Sequence, residues 1–334
     1  MNQEVRNVKK EVIEIKDLTV HFESREIGVC KAVNNFSLSI YHGETIGLVG
    51  ETGAGKTTVA LSVMRLLQMP PARVKSGEIL FEGENVMKFS AAQMRSFRGK
   101  KVSMIFQDPM TALNPIEPVG GQVAEVIRIH NKVGKKEAAE MAVKMLERVG
   151  ISADRFHEYP HQFSGGMKQR VIIAIALACA PQLLIADEPT TALDVTIQAQ
   201  VLDMMNELKK ESEASVLLIT HDLGVVAEMC DRVAIMYAGE VVELGTTEQI
   251  FDETAHPYTQ GLLDSLPRLT ENSKRLKSIP GLMPDPTNLP EGCSFAERCS
   301  FATEECRKQK CELKNIGGDH FVRCIHRLEK GGRD

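Results

Sequence analysis

Residues 45–58, TIGLVGETGAGKTT, carry more chemistry for their length than any other stretch of this chain. An apolar run, Ile46-Gly47-Leu48-Val49-Gly50, stops at a glycine-rich loop, Gly50-Glu51-Thr52-Gly53-Ala54-Gly55. Lys56-Thr57-Thr58 then opens an apolar-periodic segment that reaches Leu67. Strand, loop and helix at the spacing G-x4-G-K-T predict a phosphate-binding loop. The glycines let successive backbone N–H groups turn toward one anion, and the helix start adds its positive end. Lys56 would reach the β- and γ-phosphates, and the Thr57 hydroxyl would complete the coordination of Mg²⁺. A chance match on an ordinary βα turn is the bland alternative, and the strand–helix context argues against it.

Three more sites fall at predicted strand ends. Leu183-Leu184-Ile185-Ala186 runs into Asp187 and Glu188, which places both carboxylates at the edge where open α/β sheets bind ligands. Asp187 suits the Mg²⁺ shell, and Glu188 suits polarising an attacking water. Without the loop, the same pair would read as a helix cap or a salt bridge. His221 closes the next apolar strand, Ser215 to Thr220, from where it could bond a γ-phosphate. Gln107 ends a third strand, Lys101 to Phe106, and could offer a side-chain oxygen to Mg²⁺ or to the water. Ser164-Gly165-Gly166 opens a helix whose apolar run, Val171 to Ala180, is too short to span a bilayer and reads as buried. Ser164 is a natural N-cap. Two successive glycines are costly inside a helix, and they would let an anion approach bare N–H groups. The loop at 50–57 already fills one nucleotide's phosphate contacts, so this second element suggests service to a nucleotide on another subunit.

The elements that must position these residues alternate. Short strands are expected at 12–15, 18–22 and 36–40, then a hairpin near 77–85, a helical stretch from 111 to about 162, and closing strands at 233–236 and 239–244. Apolar strands separated by helices argue for a parallel sheet covered on both faces. From His256 onward the composition shifts to Pro, Cys and charge without periodicity, and a domain boundary is expected there. At 43% hydrophobic and 25% charged residues the chain is of ordinary globular composition, and its net charge of −5 leaves no basic footprint for nucleic acid. The N-terminus lacks the apolar core of a signal peptide.

Taken together, these motifs resemble the ATP-binding subunit of an ABC transporter, from residue 12 to about 250. GETGAGKT is similar to its Walker A motif and LLIADE to its Walker B. Gln107 falls at the Q-loop, FSGGMKQ at the signature, Thr191 to Asp194 (TALD) at the D-loop and His221 at the switch histidine. Met167 departs from the most common signature residue, Gln, although peptide-importer members often carry Met. The resemblance implies an α/β P-loop NTPase over residues 1–255, with an antiparallel β subdomain and a helical subdomain at about 108–165. It implies ATP held by residues 50–58 and Asp187, Mg²⁺ held by Thr57, Gln107 and Asp187, and an adenine-stacking role for Phe22. Glu188, His221, Lys56 and Gln107 would serve catalysis, with Ser164, Gly165 and Gly166 acting in trans. Two such subunits, here expected as a heterodimer of homologous ATPases, sandwich ATP and drive two membrane permeases at the cytoplasmic face of the membrane.

Cys293-x5-Cys299-x6-Cys306-x17-Cys324 lies in the remaining segment, 256–334. By spacing alone, zinc and an iron–sulfur cluster are equally open, with free thiols behind them. HPYT (256–259), IPGLMPDP (279–286), CSFAERC (293–299) and QDPMTALNP (107–115) resemble the oligopeptide and dipeptide importer ATPases, whose four cysteines bind a [4Fe-4S] cluster. Cys311 is off that pattern, as a spare thiol or a competing ligand. This resemblance implies a peptide importer fed by a solute-binding protein. A nickel or metal-chelate importer ATPase is the alternative, and a non-transport ABC ATPase comes behind both.

Overall fold

The computed structural model describes residues 10–26, 28–191, 193–266 and 278–328, and for 109 and 110 the backbone only. In chain order come β1 (Glu11–Ser24), β2 (Gly28–Tyr41), β3 (Thr45–Val49), α1 (Lys56–Val63), β4 (Ala72–Phe81), β5 (Glu84–Asn85), α2 (Ala91–Phe97) and β6 (Val102–Ile105). They are followed by α3 (Pro109–Ala112), α4 (Val119–Asn131), α5 (Lys135–Arg148), α6 (Gly165–Leu177), β7 (Leu183–Asp187), α7 (Val195–Ser212) and β8 (Ser215–Thr220). The chain ends with α8 (Leu223–Met229), β9 (Arg232–Tyr237), β10 (Glu240–Thr246), α9 (Thr247–Asp252), α10 (Pro257–Asp264), α11 (Glu304–Lys308), β11 (Lys314–Gly317) and β12 (His320–Val322). Packing divides the chain into two compact units interleaved in sequence. Of the described residues, one holds those in 10–14, 39–44 and 80–217; the other holds those in 15–38, 45–79 and 218–328.

In the first unit β6 and β7 run parallel, with Val102 opposite Leu183 and Ile105 opposite Ala186. Both strands are buried throughout, which their unbroken apolar sequences require of a sheet covered on two faces. Helix α6 packs on β6 and α7, and it buries Val171, Ile172, Ile173, Ala174 and Leu177. The helical stretch expected from 111 resolves into α4 and α5 packed on each other. Phe97 is edge-on to Phe81 at 5.2 Å and to Phe89 at 5.7 Å, closing a small core beneath the β4–β5 hairpin.

In the second unit β3 and β9 run parallel, with Ile46 opposite Arg232 and Val49 opposite Ile235. β10 is antiparallel to β9, β12 to β10 and β11 to β12. The runs at 12–15 and 18–22 are one continuous strand, β1, which lies between β2 and β4. The stretch after His256, expected to be irregular, contains α10, α11 and the β11–β12 hairpin. Strands of three and four residues are too short to show a period; β12 pairs to β10, with Glu243 opposite Val322, and β11 pairs to β12. Among the described residues no helix is long and apolar enough to cross a membrane.

Candidate functional site

The glycine loop is built within the second unit. β3 is wholly buried and delivers the chain to Gly50. Lys56, only 6% exposed, spans the loop from the first residue of α1. Its Nζ donates to the carbonyls of Gly50 at 2.6 Å and Glu51 at 3.0 Å. Gly55 precedes the helix at φ +104°, and a Cβ there would lie 2.4 Å from the Ala32 carbonyl oxygen, so only glycine fits. No side chain caps α1, which leaves its first N–H groups to an anion. Thr52, Gly53 and Thr57 are exposed and Thr58 is half-buried. Ala54 closes the turn with its N–H on the Glu51 carbonyl at 3.1 Å.

Two further expected residues belong to this unit. Phe22 is half-buried on β1, and His221 is exposed immediately after β8. Its neighbour Asp222 caps α8, accepting from the N–H groups of Gly224 at 2.9 Å and Val225 at 3.3 Å.

The carboxylate site lies in the first unit. Asp187 is 2% exposed at the end of β7. Glu188 follows with φ +48°, a conformation side chains rarely adopt and that functional sites often hold under strain. Its Oε2 accepts from Gln107 Nε2 at 2.9 Å and from Thr191 Oγ1 at 2.9 Å. The parallel pairing of β6 and β7 explains the first contact, because Gln107 and Glu188 leave the same sheet edge. Thr191 had no assigned role beyond the D-loop. Its position three residues after Glu188 was the available signal, since such a hydroxyl can turn back on the carboxylate. Gln169, 2% exposed on α6, donates to the Pro189 carbonyl and so anchors the segment just past Glu188. In the D-loop, Asp194 caps α7 by accepting from Ile197 N–H at 3.0 Å; Ala192 lies outside the described residues.

The Ser-Gly-Gly turn divides into two roles. Ser164 caps α6 through Met167 N–H, and both Ser164 and Gly165 are exposed. A Cβ on Gly165 would meet nothing within 4 Å, whereas one on Gly166 would lie 2.6 Å from Ile197 Cγ2. A side chain at 166 would press on Ile197, so packing of α6 on the start of α7 gives a second reason for this glycine beside its expected service to an anion. Its sequence signal, a glycine inside a helix, does not separate the two causes.

No disulfide joins any of the eight cysteines. Cys293, Cys299, Cys306, Cys311 and Cys324 line one pocket, yet among the described residues no group of three or more His, Cys, Asp or Glu side chains is arranged to hold a metal ion. The [4Fe-4S] site expected at Cys293, Cys299, Cys306 and Cys324 is thus not pre-formed, nor is its zinc alternative. The donors suit either metal in kind and number. Burial pushes the Cys293 thiol up to about 11 and the Cys324 thiol up to about 12, and shifts Cys299 and Cys311 upward as well. Cys306 Sγ lies 3.5 Å from Thr303 Oγ1.

The HPYT stretch has a local explanation. His256 Nδ1 accepts from Tyr258 N–H at 3.0 Å, so the imidazole caps α10, and Pro257 takes the first helical position, where no N–H is needed. The turn so fixed carries the Tyr258 hydroxyl to Glu51 N–H, 3.0 Å away.

A buried strand ending in a lysine-spanned glycine loop, together with a strand ending in Asp-Glu, defines a P-loop nucleotide hydrolase. The ABC transporter family profile matches residues 33–191, and the profile of the oligopeptide/dipeptide transporter C-terminal region matches 242–306. The oligopeptide transport ATP-binding protein OppD of Bacillus subtilis (strain 168) is 48% identical over 315 residues, covering 93% of this chain and 88% of its own length. The dipeptide transport ATP-binding protein DppD of the same organism is 50% identical over 286 residues, 85% of each chain. A solved dimeric ATP-binding cassette in a post-hydrolysis state with ADP and Pi superposes with a TM-score of 0.63 at 25% identity, covering 70% of this chain and 98% of that one. The chain belongs to the ABC transporter ATPases of the oligopeptide/dipeptide family.

Proposed function

We propose that this chain is the ATP-hydrolysing subunit that energises a membrane importer of di- or oligopeptides from the cytoplasmic face. The observation that carries the mechanism is the pairing of one complete phosphate loop with a second, outward-facing phosphate element. Ser164 and Gly165 stand exposed at the start of the 13-residue α6, where bare N–H groups and the helix dipole favour an anion. ATP on the loop of one subunit then meets Ser164 and Gly165 of another, so nucleotide holds the closed dimer together. Differential affinity for that state supplies the work.

In this reading Glu188 polarises the attacking water, with Gln107 and Thr191 fixing its carboxylate. Thr57, Gln107 and Asp187 offer the hard oxygens that Mg²⁺ prefers; with the γ-phosphate role of His221 and the stacking role of Phe22, these assignments rest on the sequence. So does the division into a nucleotide-binding domain, 1–255, and an extension, 256–334. The expected partners are a homologous ATPase, two permeases and a solute-binding protein. The names of the relatives and the match at 242–306 support peptides over a nickel or metal-chelate cargo.

The convergence of five cysteines on one pocket supports a thiolate-held centre, with [4Fe-4S] ahead of zinc. Anaerobic purification followed by metal analysis tests it: about four irons per chain support the cluster, whereas zinc alone or no metal rejects it. For the ATPase itself, Glu188→Gln with MgATP should elute as a dimer and turn over at least about 100-fold more slowly than the parent. Undiminished turnover removes Glu188 from this role. Loss of peptide uptake on deleting the gene, restored by the parent and not by Glu188→Gln, tests the cargo.

A further inference from the structure

Glu51 is an odd residue for its place. It puts a carboxylate on the second position of a loop built to receive phosphates, where like charges repel. The second unit deals with that charge using a residue far along the chain. Glu51 Oε2 is paired with Arg298 Nη1 at 2.9 Å, and the Arg298 side chain is only 6% exposed against 30% for Glu51. The guanidinium is held on every side. Its Nε donates to the Pro280 carbonyl at 2.9 Å, and Nη1 also donates to the Tyr237 hydroxyl at 3.3 Å. It lies 5.8 Å from the Tyr237 ring and 6.0 Å from Phe295.

The same region touches the loop twice more. Tyr258 accepts from Glu51 N–H at 3.0 Å. Met283 packs so closely on Gly53 that a Cβ there would lie 3.1 Å from its Cε. Arg298 stands next to Cys299, and its ring partner Phe295 stands two residues after Cys293. A buried guanidinium in fixed hydrogen bonds does not move to suit its partner, so Glu51 must come to it.

We propose that Arg298, supplied by the cysteine-bearing extension, is a positioning residue of the phosphate loop: it neutralises Glu51 and holds it aside, so that ATP affinity depends on the extension being seated. This rests on reading residues 50–58 as the nucleotide loop. Arg298 acts through Glu51 and touches no phosphate. Its loss therefore exposes an uncompensated carboxylate beside the nucleotide, and the effect falls on KM rather than kcat.

The test is a double-mutant cycle on the purified full-length chain, reading KM for ATP, kcat and the melting temperature without nucleotide. Arg298→Met should raise KM about tenfold, an ordinary coupling for a close charge pair, with kcat within about twofold of the parent. In a Glu51→Gln background, adding Arg298→Met should change KM by less than about twofold, because the charge it managed is gone. A purely structural Arg298 would damage both backgrounds alike, and that result overturns the proposal, as does an unchanged KM in the single variant. Should Arg298→Met not fold, Arg298→Gln in both backgrounds reads the same difference. Lys56→Ala separates the two layers. If it leaves ATP affinity intact, the loop reading fails. If it abolishes binding while the cycle shows no coupling, the loop stands and the role of Arg298 falls.

Discussion

His256 gives a stability prediction that can be worked from its surroundings. The imidazole is 1% exposed, and burial pushes its pKa from 6.5 down to about 4, against the opposing pull of Glu243 and a hydrogen bond to the Arg323 backbone; the Arg323 charge adds to the lowering. The ring is therefore neutral in the fold at pH 7, with Nδ1 accepting from Tyr258 N–H. As pH falls below 6.5 the unfolded chain takes up the proton first, while the folded chain waits until about 4. Stability present above pH 6.5 is thus lost progressively between 6.5 and 4. Between pH 6.5 and 5 the loss from this one group is about 2 kcal/mol. His256→Asn keeps a capping side chain without the titration, so its stability should fall by about 2 kcal/mol less over the same range. Urea unfolding at the two pH values measures both, followed by tyrosine fluorescence, since the chain has four tyrosines and no tryptophan. Equal losses in parent and variant would refute the assignment of a buried neutral ring.

Four other variants test the site. Lys56→Ala removes the side chain that spans the loop and should weaken ATP binding at least about tenfold in a fluorescent-nucleotide titration. Gly166→Ala should destabilise the chain by about 1–3 kcal/mol through overpacking on Ile197. Gly165→Ala, with open space around it, should cost little stability while slowing turnover, and calorimetry beside an ATPase assay separates the two. Thr191→Val removes the hydroxyl bond on Glu188 Oε2; turnover should fall several-fold with folding changed by about 1 kcal/mol, and an unaltered kcat would leave Thr191 with no part in orienting the carboxylate.

The phosphate loop was legible because its chemistry is local. Gly55 must be glycine, Lys56 must follow it, and a strand must precede and a helix succeed them, all within a dozen residues. Asp187 and Glu188 were legible for the same reason, being two acids at the end of an apolar strand. The sequence could not show that a side chain at Gly166 would meet Ile197 while one at Gly165 meets open space, because the Ile197 methyl sits about 30 positions away. Nor could it show that Thr191 and Gln107 share Glu188 Oε2, since the β6–β7 register decides the second contact. The tail misled most. Its strands of three and four residues pair β11 to β12 and β12 to β10, a long-range contact that no local period signals, and its cysteines gather in one pocket from positions spread between Cys293 and Cys324. Arg298 and Glu51, 247 residues apart, meet through packing around Tyr237, Tyr258 and Phe295. Local spacing fixes which groups can do chemistry; which of them touch is set by contacts whose energy appears only once the chain has closed on itself.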